Sequence, residues 1–141
     1  MSNKFKAILL NQTGEKFSRE IKTLDKSFLS TGDVLVKIDY SDLNFKDAMI
    51  LKNGGKLIKE YPRIPGVDFS GTIEESAVSE FKTGEKIIVN GSRVGELYHG
   101  GYSQYAKVKK ENTTTVTNYF LGAFKDDLSF QNRYLRYINK D

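Results

Sequence analysis

Cysteine is absent from this chain of 141 residues, and its absence removes two classes of stabilising or functional site. Neither a disulfide framework nor a cysteine-ligated zinc site can form. The length is typical of one domain and is sufficient to bury a hydrophobic core without such cross-links. Hydrophobic residues make up 38% of the chain and charged residues 28%, with 12 glycines. This composition indicates a globular protein with many turns.

Long apolar runs and long basic runs are also missing. No apolar stretch approaches the roughly 20 residues that span a bilayer, and the first five residues, MSNKF, lack the apolar core of a signal peptide. The 22 basic residues are scattered among 18 acidic ones, for a net charge of +4, so no basic face marks a nucleic-acid site. We therefore expect a cytoplasmic protein that binds neither membranes nor nucleic acid.

Short strand-like segments separated by turns occupy the first hundred or so residues. Apolar or alternating runs typical of β-strands occur at residues 5–10, 17–21, 34–40, 69–73, 87–89 and 102–108. Short strands with glycine-rich turns are typical of a small barrel or sandwich. The sequence therefore predicts a mainly β fold with short helices.

One segment has a helical pattern. Asn44 can cap the start of a helix, and Asp47 three residues later forms an approximate capping box with it. Asn53 and the two glycines after it form a turn that would end this helix. The apolar residues that suit it are Phe45, Ala48, Met49 and Leu51.

The character of the sequence changes near Lys109. Residues 109–141 mix aromatic side chains with Lys, Asp and Asn, and their poor periodicity allows only a weak C-terminal helix. We therefore divide the chain into a domain of residues 1–108 and a divergent tail of residues 109–141.

Four segments in a fixed order carry a family resemblance. They are residues 32–37 (GDVLVK), 40–48 (YSDLNFKDA), 64–71 (IPGVDFSG) and 95–102 (GELYHGGY). Together they resemble the N-terminal GroES-like catalytic domain of the medium-chain dehydrogenase/reductase superfamily. The branch they are most similar to is that of the zinc-free acryloyl-CoA reductases, often labelled quinone oxidoreductases. The resemblance covers residues 4–108 and implies a GroES-like, partly open β-barrel.

The resemblance implies a reaction as well as a fold. Zinc-dependent relatives place a cysteine at the position of Asn44 and a His-Glu pair at Val67 and Asp68, and the residues present here cannot build that zinc site. No metal is therefore expected. Zinc-free relatives use NADPH to reduce the carbon–carbon double bond of an α,β-unsaturated thioester such as acryloyl-CoA, or of a related enone or quinone. The expected partner is thus a small acyl-CoA or enone substrate.

Candidate site residues follow from the same resemblance. Asn44, Phe45 and Asp47 match positions near the cofactor cleft. Phe45 matches a residue, commonly tyrosine, that contacts the nicotinamide. We take Asn44, Asp47 and Tyr40 as catalytic candidates and Phe45 as a cofactor contact. A structural alternative exists for each: Asn44 and Asp47 can simply cap a helix, and Tyr40 can be a half-buried strand aromatic.

Two further residues are candidates for substrate binding. His99 is the single histidine of the chain, and an imidazole can act as a general acid or base near neutral pH. In a turn before a strand, however, a structural or exposed histidine is the more common case. Arg93 could meet a phosphate or carboxylate of the substrate.

A nucleotide-binding half is missing from the pattern. Members of the resembled family continue into a Rossmann domain that supplies most cofactor contacts, yet no Gly-x-Gly-x-x-Gly element follows any strand here. We therefore expect a truncated chain that is inactive alone and needs the missing nucleotide-binding domain, or a homodimer, to work. The alternatives are a non-catalytic GroES-like binding or assembly module and a folded remnant.

Overall fold

Two antiparallel sheets form the body of the computed structural model, which describes residues 2–29 and 32–115. β1 (Lys4–Thr13) and β2 (Lys16–Asp25) make a hairpin. The second sheet has five strands in the order β6-β3-β4-β5-β7. These are β3 (Val34–Ser41), β4 (Asp68–Ser76), β5 (Lys86–Asn90), β6 (Tyr105–Val108) and β7 (Thr114–Thr115). The mainly β fold predicted from the sequence is confirmed.

Within the described residues, helical structure consists of one α-helix and three short turns of 3₁₀ helix. α1 spans Phe45–Asn53, and the 3₁₀ turns are Lys26–Phe28, Gly54–Lys56 and Lys110–Asn112. Over residues 2–29 and 32–115, no helix is both long enough and apolar enough to cross a membrane. The weak helix predicted in the tail lies outside the described residues.

Each of the six predicted strands overlaps an observed strand, but the last begins at Tyr105 and not at residue 102, and the short strand β7 was not predicted. Residues 102–104 do not belong to β6, because part of their backbone hydrogen bonds go to the β1–β2 hairpin and not to β3. The Ile8 N–H donates to the Tyr102 carbonyl at 2.9 Å, and the Gln104 N–H donates to the Lys6 carbonyl at 3.0 Å. This segment therefore joins the two sheets. After the predicted domain boundary at Val108, the sheet continues into β7, which pairs with β5.

Three clusters of buried apolar side chains hold the sheets and the helix together. The largest lies on one face of the five-stranded sheet and includes Val34, Val36, Ile73, Ile87 and Val89. Leu35, on the opposite face of β3, packs with Phe5, Ala7 and Leu9 of the hairpin. The third cluster contains Leu10, Ile50, Ile58 and Val67 and attaches α1. The first three residues of β3 are thus buried on both faces and contribute to two of the clusters.

Gly66 marks the tightest backbone approach near the later site. Its φ of +103° is a conformation that side-chain-bearing residues rarely adopt. A methyl group added there would lie 2.6 Å from the Tyr102 backbone nitrogen and 2.8 Å from that of Gly101. The Gly101 N–H in turn donates to the Gly66 carbonyl at 2.9 Å. Residues 64–68 and 100–102 are therefore held side by side by direct backbone contact.

We expect Gly66→Ala to lower the free energy of unfolding by about 3 kcal/mol or more, because it combines backbone strain with a clash against backbone atoms. Gly14→Ala is the matched control. Gly14 also has a positive φ, of +60°, but nothing lies within 4 Å of an added methyl group. Gly14→Ala should lower the free energy of unfolding by about 1 kcal/mol, from backbone strain alone. Urea denaturation of both variants checks this, and equal costs would show that the close approach is unimportant.

Candidate active site

The site begins at the N-terminus of α1, where a capping box orients Asn44. The Asn44 side-chain oxygen accepts the Lys46 N–H at 2.9 Å and the Asp47 N–H at 3.2 Å. The Asp47 carboxylate accepts the Asn44 backbone N–H at 3.1 Å in return. The predicted cap is therefore confirmed. Gly54, in the left-handed conformation, ends the helix as predicted.

Asp47 ties this cap to the rest of the fold. Its side chain is fully buried, and its other carboxylate oxygen accepts the Val67 backbone N–H at 3.1 Å. A buried carboxylate is tolerated when hydrogen-bond donors surround it. Asp47 thus joins the start of α1 to the segment that leads into β4. The buried positions of α1 are Asp47 and Ile50, whereas the sequence pattern pointed to Phe45, Ala48, Met49 and Leu51.

Asp68 completes the network around Asn44. One oxygen of its carboxylate accepts from the Asn44 side-chain nitrogen at 3.0 Å, and the other accepts the Gly91 backbone N–H at 2.9 Å. The Asn44 amide is thereby held at both ends. Its nitrogen carries two N–H groups, and Asp68 takes one of them. The sequence analysis considered Asp68 only as a replacement for a zinc-ligand residue and missed its bond to Asn44.

Large apolar side chains stand exposed around this network. Tyr40, Leu43 and Phe45 are 78%, 66% and 80% exposed. Tyr40 is therefore not the half-buried strand aromatic considered as its alternative. Exposed large apolar side chains so close in sequence are typical of a surface that binds a ligand or another protein unit.

Two separate grooves flank the network. Tyr40 and Asp68 line a groove of about 270 Å³ that runs over β4 and β5. Phe45 lines another, of about 510 Å³, along α1 with Ala48, Met49 and two lysines. The structure thus brings Asn44, Asp47 and Asp68 into one hydrogen-bonded unit and places Tyr40 and Phe45 in different grooves beside it.

Tyr102 is a site neighbour that the sequence analysis missed. Its hydroxyl donates to the Asp42 carbonyl at 2.9 Å. Burial, together with the nearby Asp47 carboxylate, raises the pKa of this phenol well above its usual range. The group therefore stays protonated. Only its place after the Gly100-Gly101 pair could have drawn attention to it.

Lys46 also takes part in the surroundings of the site. Its ammonium group contacts the Glu96 carboxylate, which is almost fully buried. A lysine in the first turn of a helix is usually solvated, so the sequence gave no signal for this pair. The contact ties α1 to the 95–102 segment.

His99 and Arg93 lie apart from this network. The centre of the His99 ring lies 4.7 Å from that of Phe28 in a tilted contact, and its Nδ1 atom accepts the Ile64 backbone N–H at 3.2 Å. Burial, and secondarily the Arg63 charge, lowers the pKa of His99 from 6.5 to about 4. The imidazole is therefore neutral at pH 7. Arg93 is exposed, and its carbonyl accepts the Leu97 N–H at 2.9 Å.

No metal cluster accompanies these groups: residues 2–29 and 32–115 hold no set of three or more His, Asp and Glu side chains grouped for an ion. The described carboxylates nearest the site, Asp47 and Asp68, are engaged with backbone N–H groups and with Asn44.

Comparison with known proteins confirms the predicted resemblance. Residues 30–134 match the family model of the alcohol dehydrogenase GroES-like domain. The chain is 39% identical over 109 residues to the acrylyl-CoA reductase AcuI of Ruegeria pomeroyi, covering 76% of this chain and 33% of that protein. It is 35% identical over 108 residues to the quinone oxidoreductase YhfP of Bacillus subtilis, covering 77% and 33%.

Solved structures agree with the sequence matches. The Escherichia coli protein YhdH, solved with bound NADPH, superposes with a TM-score of 0.75 and 39% identity, over 78% of this chain and 34% of that one. The chain therefore spans about a third of the length of the relatives it matches.

A short match of another kind is also present. A stretch of 33 residues, 23% of this chain, is 79% identical to part of GTP cyclohydrolase 1 of Pelagibacter ubique. It covers only 16% of that protein, a share too small to assign a function.

Two substitutions separate the capping role of Asn44 from its bond to Asp68. Asn44→Ser keeps a good cap but loses the amide donor, whereas Asn44→Ala loses both. We expect Asn44→Ala to cost about 1–2 kcal/mol of unfolding free energy, and Asn44→Ser clearly less. Urea denaturation measures both. Equal losses would mean that the amide bond to Asp68, rather than the cap, stabilises the fold.

The lowered pKa of His99 makes stability depend on pH. In the unfolded chain this histidine takes up a proton near pH 6.5, but in the folded chain only near pH 4. The unfolded state therefore binds more protons between these values, and stability falls as the pH drops from 6.5 towards 4. His99→Asn, which keeps an acceptor for the Ile64 N–H, should lose this part of the pH dependence.

Because the chain has one histidine, a proton NMR titration follows its ring directly. The expected midpoint is about 4. A midpoint near the ordinary histidine value would contradict the buried, neutral ring.

Proposed function

Because this chain belongs to the alcohol dehydrogenase GroES-like domain family, within the medium-chain dehydrogenase/reductase superfamily, we propose that it forms the substrate-side wall of an oxidoreductase. The proposed enzyme is independent of zinc and uses NADPH to reduce the carbon–carbon double bond of an α,β-unsaturated thioester such as acryloyl-CoA, or of a related enone or quinone. The observation that carries the proposal is the Asn44 amide, held rigidly by Asp68 and by the helix cap.

Asn44 is the residue to which we assign stabilisation of the reacting carbonyl. When a hydride adds to the β-carbon of an unsaturated thioester, negative charge develops on the carbonyl oxygen while the α-carbon awaits a proton. Preorganised N–H donors stabilise such an oxygen because they need no reorganisation during the reaction. The second N–H of the Asn44 amide is such a donor. Asp47 and Asp68 are positioning residues that hold it.

Phe45 supplies the surface for the cofactor. NADPH, when bound, contributes the hydride. An aromatic side chain that is 80% exposed, in a groove with Ala48 and Met49, fits the flat face of a nicotinamide ring. Lys52 and Lys56 line the same groove and suit the negative charge of a dinucleotide. Tyr40, in the groove that holds Asp68, is assigned to substrate contact. Phosphate binding by a Rossmann-type unit completes the proposed enzyme.

Activity is tested with this chain alone and with a chimera in which it replaces the matched third of the Ruegeria acrylyl-CoA reductase. Loss of NADPH absorbance is followed after adding acryloyl-CoA or a quinone. We expect turnover in the chimera.

In the chimera, Phe45→Ser should lower kcat/KM about tenfold, because the aromatic ring face is lost.

Ile21→Ser is the matched control, since Ile21 is also a large apolar residue, 74% exposed, but lies in β2. It should leave kcat/KM unchanged. A folded chimera that binds NADPH yet reduces neither substrate would overturn the proposal and favour a non-catalytic module. Equal losses in the two variants would overturn the assignment of Phe45.

A further inference from the structure

A cavity that shares no lining residue with the two grooves of the candidate site is lined in part by Arg63. It has a volume of about 410 Å³ and is bounded by Leu29, residues 60–63, residues 97–99 and Lys107. Arg63 is only 8% exposed. Among the described residues, its Nε atom is a buried side-chain nitrogen without a hydrogen-bond partner.

The backbone fixes Arg63 at this place. Its N–H donates to the Leu10 carbonyl at 3.0 Å, and its own carbonyl accepts the Leu10 N–H at 2.8 Å. The arginine is thus built into the junction of β1 with the 60–63 segment. The backbone of Arg63 is therefore anchored to β1, and its side chain lines the cavity.

Charge compensation for this buried cation is weak. Within the described part of the chain, the nearest carboxylate oxygen is that of Glu60, which lies 3.7 Å from the guanidinium, and the Glu60 side chain is 85% exposed. A pair so exposed on one side contributes little, whereas an arginine removed from water needs hydrogen-bond acceptors for its five N–H groups. Burial accordingly lowers the pKa of Arg63 from its ordinary value.

The other polar groups of the cavity are donors as well. Lys107 adds an ammonium group. The Nδ1 atom of His99 accepts a backbone N–H, so the neutral ring carries its proton on Nε2 and can donate there. Leu29 and Leu97 provide apolar wall. The cavity lining therefore combines two cations, a neutral imidazole donor and two tyrosines with a single carboxylate, and this excess of cations and donors suits an anionic oxygen ligand.

We propose that this cavity is a binding site for an oxyanion, a phosphate or carboxylate group of a small molecule, with Arg63 as the principal ligand and Lys107 as the second. An arginine can hold either group through two parallel hydrogen bonds. The volume is within the range of about 300–1,000 Å³ typical of small-molecule sites.

The test uses the full chain and the single histidine as a reporter in the cavity wall. Inorganic phosphate and malonate are titrated separately at pH 7.5 and constant ionic strength, and the His99 ring proton is followed by NMR. We expect a saturable shift with at least one of the two anions. The stronger anion identifies the group preferred, phosphate or carboxylate, and the absence of a saturable shift with both overturns the proposal.

Substitutions locate the binding. Arg63→Met removes the charge at similar volume and should weaken binding about tenfold or more, the loss expected for a hydrogen bond to a charged group. Lys107→Glu should weaken it too, and tests the site independently should Arg63→Met fail to fold. Lys22→Met is the control, because Lys22 lies on β2 and pairs with Glu20. The proposal would be overturned if Lys107→Glu left the affinity for the anion unchanged, or if the control variant lowered that affinity equally.

Discussion

The buried carboxylate of Asp47 is the constraint on which the candidate site depends. It receives the backbone N–H of Asn44 on one side and that of Val67 on the other. Loss of a buried acceptor shared by two backbone donors would leave both unsatisfied, at a cost of about 1–3 kcal/mol each. One side chain therefore joins the start of α1 to the segment that leads into β4. The Asn44 amide bonds to Asp68 across the same junction.

Close contacts of the backbone also support the arrangement of α1 and the segment before β4. Residues 64–68 and 100–102 approach closely through glycines, and the buried Glu96 carboxylate meets Lys46 at the start of α1. The polar network at the site is thus enclosed by main chain, while the aromatic side chains next to it remain exposed. Rigid polar groups beside an open apolar surface are the arrangement on which the proposed function rests.

Arg63 and His99 form a second polar region, in which the buried charge is paired differently. In the first network the carboxylates of Asp47 and Asp68 accept hydrogen bonds from N–H donors. The Arg63 guanidinium, in contrast, has no carboxylate of comparable burial among the described residues. His99 contributes to structure through the Ile64 N–H, and its half-buried ring is neutral at pH 7. A single histidine in a glycine-rich turn attracts attention in a sequence as a proton carrier, but its tertiary surroundings decide its protonation.

Local patterns in the sequence determined much of the fold. The alternation of apolar residues predicted the strands, and Asn44, Asp47 and Gly54 predicted both ends of α1, because capping depends on side chains within one helical turn. The order of four motifs was enough to identify the family. Tertiary structure alone decided which contacts span distant segments: Asn44 with Asp68, Lys46 with Glu96, Tyr102 with Asp42, and the burial of Arg63. These depend on how sheets and turns meet in space, which periodicity along the chain does not encode.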